Sequence, residues 1–73
     1  MISAELNALE MRIRALAEAH VQSVKSRDIN DPAVREMLEK AAEEKSKGAI
    51  LDAAAFERQA YVRACHAVVR NVF

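Results

Sequence analysis

One proline and one glycine, Pro32 and Gly48, are the only residues of their kinds in the chain. Elsewhere the apolar residues recur at helical spacing, which predicts helices joined near those two breakers. In the first stretch Ile2, Leu6, Leu9, Ile13, Leu16, His20 and Val24 follow one another at intervals of 4, 3, 4, 3, 4 and 4. On a helical wheel they fall within about 100° of arc, the width of a core-facing stripe. Ser3 is the expected N-cap, and the helix is expected over 3–27.

The second helix starts at "NDPAV". Asp31 suits the N-cap and Pro32 the first helical position, where a missing N–H leaves no bond unmade. This helix is expected over 32–47, with Val34, Met37, Leu38, Ala41 and Ala42 apolar and Glu36, Lys40 and Glu44 forming an outer i, i+4 ladder. Gly48, behind Lys45 and Lys47, reads as the left-handed glycine that ends a helix. Asp52 is expected to cap a third helix over 53–73, with Leu51 and Phe56 at hydrophobic-staple spacing. Short links between three helices predict a small all-α domain covering 1–73: an antiparallel three-helix bundle, up-down-up if the second link closes tightly. The alternative is a long helical hairpin, its second and third helices nearly continuous, that oligomerises.

A chain of 73 residues buries only about 60% of the surface its unfolded form exposes. Of its apolar residues fifteen are alanine, which favours helix but contributes little buried area. Small domains with thin cores are commonly supported by disulfides, metals or association. The single cysteine, Cys65, leaves no intramolecular disulfide, so a partner or a second copy is the expected support.

Charge sums to zero, but its distribution is uneven: residues 2–27 carry +1, residues 28–52 carry −3 and residues 53–73 carry +2. Zero net charge argues against a general polyanion binder. A stripe of Gln59, Arg63, His66 and Arg70 on the third helix could meet phosphates, and with Arg58 it frames the alternative reading of a small nucleic-acid-associated regulator. Pairing of that stripe with the acidic second helix is the expected use. No apolar run reaches the roughly 20 residues of a membrane span, and no basic-then-apolar signal pattern opens the sequence, so a cytoplasmic setting is expected.

No constellation supports catalysis. Cys65 and His66 are adjacent but point about 100° apart on a helix, so they cannot converge on one ion, and metal and cofactor are both expected to be absent. Cys65 reads as a structural thiol. The third helix carries more apolar girth than two neighbours cover: Tyr61, Val62, Cys65, Val68, Val69, Val72 and Phe73 span about 140°. An apolar surplus of this kind marks an interface. The expected function is a non-enzymatic protein–protein interaction module, acting as a homo-oligomer subunit or a small adaptor, chaperone or inhibitor. Its expected contacts are Tyr61, Val62, Val68, Val69, Val72 and Phe73, with Arg63 and Arg70 as polar rim. His20 falls on the apolar seam of the first helix, where a lone polar side chain needs a partner, such as the Tyr61 hydroxyl or a backbone carbonyl, and can fix register.

The Asp31–Pro32 turn after an amphipathic helix, together with the ending "AVVRNVF", resembles the helical-hairpin needle subunits of type III secretion systems. That resemblance implies a secretion-apparatus-like helical subunit. The tyrosine- and asparagine-rich centre of that family is absent here, and Gly48 interrupts its continuous second helix.

Overall fold

The computed structural model describes the backbone over residues 2–72 and side chains over 4–71. Three helices account for nearly all of it: α1 (Ile2–Lys25), α2 (Pro32–Ser46) and α3 (Ile50–Val72). Ser3 falls inside α1 and is not its cap. α1 ends in a Schellman turn, in which the Arg27 N–H donates to the Val24 carbonyl (3.1 Å) and the Asp28 N–H to that of Ser23 (2.9 Å). The turn requires a left-handed residue, and Arg27 supplies it at φ 63°.

α2 starts as its sequence dictates. Asp31, extended at φ −130° and ψ 94°, accepts from the Val34 N–H, and Pro32 opens the first turn. Its far end closes with a second Schellman turn, Gly48 N–H to Lys45 carbonyl (3.0 Å) and Ala49 N–H to Glu44 carbonyl (2.9 Å), with Gly48 at φ 82°. That turn leaves the chain already reversed at Ala49, whose carbonyl accepts the first α3 bond, from the Ala53 N–H at 2.9 Å. α3 therefore begins three residues before the expected start. Asp52 lies in its first turn and is not the cap, and Leu51, 87% exposed, makes no staple with Phe56.

α3 is the common neighbour. It packs most extensively on α2, then on α1, while α1 and α2 touch little. Its direction opposes both. Along α2, Arg63 reaches the Ala33 carbonyl (3.0 Å) and Phe56 lies under the Lys40 ammonium (5.9 Å to the ring centroid). Along α1, Leu6, Leu9 and Ile13 share a cleft with Tyr61 and Cys65, whereas Val21, Gln22 and Lys25 share one with Glu57 and Tyr61. The bundle is thus antiparallel about α3, with α1 and α2 pointing the same way. Strict up-down-up order gives way because the link between them doubles back, bringing Asp31 alongside His20 instead of beyond Lys25. The break at Gly48 likewise excludes a continuous second and third helix, and with it the long hairpin.

Helix lengths decide where the core sits. At 1.5 Å per residue, α1 and α3 each run about 35 Å and α2 only about 22 Å. The core forms where all three overlap, from Ala17, Val24, Val34, Met37, Ala60, Ala64 and Val68. Alanines at three of these positions let backbones approach closely, and the largest fully buried side chain is only Val34. Toward the N-terminus of α1 the seam thins, and Leu6 and Leu9 are exposed. The molecule measures 47 × 25 × 15 Å with a radius of gyration of 13.7 Å. A compact chain of this length would have about 11 Å.

Candidate functional site

The α1 seam is one stripe with two fates. At its C-terminal end Ala17 and Val24 are buried by α2 and α3, and Leu16 and Val21 pack against them. At its N-terminal end the same stripe has no third helix over it: Leu6 is 57% exposed and Leu9 39%. There it faces Tyr61 and Cys65 of α3 across an open cleft of about 410 Å³, with Ile13 on its floor and the Glu10–Arg14 ion pair (2.6 Å) among its lining. Tyr61 and Cys65 are half-buried and lean on the core. Burial, and next the adjacent Cys65, pushes the Tyr61 phenol above its ordinary range. On α3, Val62 and Val69, about two turns apart with Cys65 and His66 midway between them, are 44% and 41% exposed.

Of the residues expected to form an interface on α3, the structure leaves Val62, Val69 and Arg70 exposed and Tyr61 half-buried against the core. Val68 is different: only 6% exposed, it belongs to the bundle's own core. Arg63 turns toward α2, donating to the Ala33 carbonyl and lying 3.8 Å from Glu36, so it ties two helices of one chain together instead of forming a rim. The Val72 side chain and Phe73 lie outside the described residues. Leu6, Leu9 and Ile13 were assigned by spacing to an internal seam, and their role as surface was missed. The mismatch between a 24-residue α1 and a 15-residue α2 was the available signal.

His20 finds neither of its expected partners. Its Nε2 meets Asp31 Oδ2 at 2.8 Å, with 16% and 19% of the two side chains exposed. Asp31 uses its other oxygen, Oδ1, to accept from the Val34 N–H at 3.2 Å. One carboxylate thus caps α2 and holds α1. Burial alone would raise the Asp31 carboxyl, but the His20 bond, the backbone N–H groups of Val34 and Ala33 and the His20 charge together hold it below its ordinary value.

A larger cleft of about 470 Å³ beside the first carries Glu18 and Lys25 of α1 and Glu57 of α3. Among the described residues, no group of three or more His, Cys, Asp or Glu side chains is placed to hold a metal ion. Cys65 is free and half-buried, and His66 beside it is exposed. Among the described residues, no helix is long and apolar enough to cross a membrane. Compared with known protein families, curated proteins and solved structures, the chain matches none.

Proposed function

We propose that the chain is a non-enzymatic helix-docking module, a homo-oligomer subunit or a small adaptor, chaperone or inhibitor, set in the cytoplasm. The observation that carries the reading is the open cleft of about 410 Å³ between α1 and α3, lined by Leu6, Leu9, Ile13, Tyr61 and Cys65. A helix laid there would cover a stripe already continuous with the core, at about 1.5–3 kcal/mol for each large apolar side chain removed from water. Val62 and Val69 add further exposed apolar surface on α3. A free thiol suits a reducing compartment.

The nucleic-acid reading loses support from the engagement of Arg63 by α2, which takes one of the two arginines out of the stripe. The test is native mass in source-cell lysate, comparing the unaltered chain with Leu6→Glu/Leu9→Glu. The reading expects the unaltered chain in heavier species and the variant at 8.1 kDa with its helical circular dichroism retained. The same mass for both would refute it.

A further inference from the structure

We infer that the groove between the C-terminal end of α1 and α2 receives an acidic segment of a partner protein, on a docking surface separate from the α1–α3 cleft of the proposed function. Because α1 and α2 flank α3 and scarcely touch each other, two adjoining clefts of about 350 and 230 Å³ open between them, sharing Val24, Arg27, Arg35 and Glu39.

Charge argues first. Lys25, Arg27 and Arg35 line the groove against a single acid, Glu39, although residues 28–52 as a whole carry −3. Among the described residues, Lys25 and Arg27 make no ion pair. Arg35 donates to Asn30 Oδ1 at 2.8 Å and lies 3.9 Å from Glu39, which ties its guanidinium to the edge of the groove. Guanidinium groups match carboxylates in a planar, two-bond fashion. Conformation argues second. Arg27 holds φ 63°, where glycine would sit without strain, and an uncommon conformation borne by an arginine at a cleft points to use of its side chain. The floor argues third. Val24 is buried, Leu38 is half-buried and Ile29 is 40% exposed, so a fitting occupant presents aliphatic surface together with negative charge. Free phosphate and nucleic-acid backbone lack the aliphatic part. A lipid surface has both but is flat on this scale and does not enter a groove between two helices. A peptide segment with carboxylates around one or two aliphatic side chains supplies both in a shape that fits.

Selection from a random peptide library displayed on phage against the immobilised chain, followed by fluorescence anisotropy of the selected peptides, tests the inference. The expected peptides carry aspartate and glutamate around aliphatic residues, and their affinity falls as salt rises from about 0.05 to about 0.5 M. Arg27→Gly is expected to weaken them about fivefold, and adding Lys25→Gln to weaken them further by a similar factor. Arg27→Gly relieves backbone strain, so binding falls while the melting temperature does not, a combination that a merely structural role for Arg27 would not produce. Leu6→Glu/Leu9→Glu should leave this binding unchanged. An empty selection, neutral or basic peptides, or equal affinity for Arg27→Gly overturns the inference. So does binding of the chain to mixed phosphatidylcholine and phosphatidylserine vesicles that Arg27→Gly abolishes, which would assign the groove to lipid. Peptides lost only in Leu6→Glu/Leu9→Glu overturn it too and leave the α1–α3 cleft standing, whereas acidic peptides lost only in Arg27→Gly support it whatever the fate of that cleft.

Discussion

Replacing Asp31 by alanine removes two functions from one side chain. The cap on α2 is lost, at about 1 kcal/mol. So is the 2.8 Å bond to His20, a bond to a charged group in a site less than a fifth exposed, at about 1.5–3 kcal/mol. The sum, about 3 kcal/mol, is a large share of the roughly 4–11 kcal/mol available to a domain of this size. At about 4–8 °C per kcal/mol, the melting temperature should fall by on the order of 15 °C. Asp31→Asn keeps an equally good cap and a neutral acceptor for His20, so its loss should be about 1 kcal/mol. Thermal melts followed by circular dichroism compare the two directly.

Acidity separates them further. The folded Asp31 carboxyl titrates below its ordinary 3.8, so folding favours the ionised form. Its contribution is complete above pH 3.8 and is lost as pH falls through the lower folded value. The unaltered chain should therefore lose stability there more steeply than Asp31→Asn. An Asp31→Ala variant that melts no lower than Asp31→Asn, or parallel acid profiles for the unaltered chain and Asp31→Asn, would refute the reasoning.

Arg27→Gly should stabilise the fold by about 0.5–1 kcal/mol in urea unfolding, because the left-handed φ that Arg27 adopts is strained for any residue with a Cβ. The mirror case is Gly48→Ala, which should cost about 1 kcal/mol even though no heavy atom lies within 4 Å of the added methyl, so that backbone strain alone is measured. Ala64→Leu, at a fully buried site between helices, should cost about 1–3 kcal/mol despite the added apolar surface, while Ala55→Leu on the exposed side of α3 should change stability by less than about 0.5 kcal/mol. Equal effects of the two alanine changes would deny the close approach of α3 to its neighbours.

Local chemistry was legible along the chain. Asp31, Pro32 and Gly48 do what their residue types dictate, since caps and turns depend on a few neighbouring atoms. Asp52 misled because the Schellman turn at Gly48 reverses the backbone so quickly that Ala49 takes the capping position. Arg27 carried no sequence signal, a non-glycine residue being an uncommon occupant of that conformation. The partner of His20 was missed for a longer-range reason: nothing local says that the link between α1 and α2 doubles back. The candidate cleft was half legible. Apolar excess on α3 pointed to Tyr61, Val62 and Val69, but which part of the α1 stripe stays open depends on where α2 stops alongside it. Spacing gives each helix its face and says nothing of how far its neighbours overlap.

The placement of α3 between companions that scarcely touch orders how the molecule assembles. α2 and α3 are adjacent in sequence and joined by a tight turn, so their pairing closes a short loop at small entropic cost. α1 must then dock on the exposed flank of that hairpin, held at one end by His20 and Asp31 and thinning toward Leu6. Amide hydrogens should report this as a gradient: slowest exchange at the α2–α3 contact around Val34 and Ala64, faster along α1, and fastest toward its N-terminal half, where opening disturbs little buried surface.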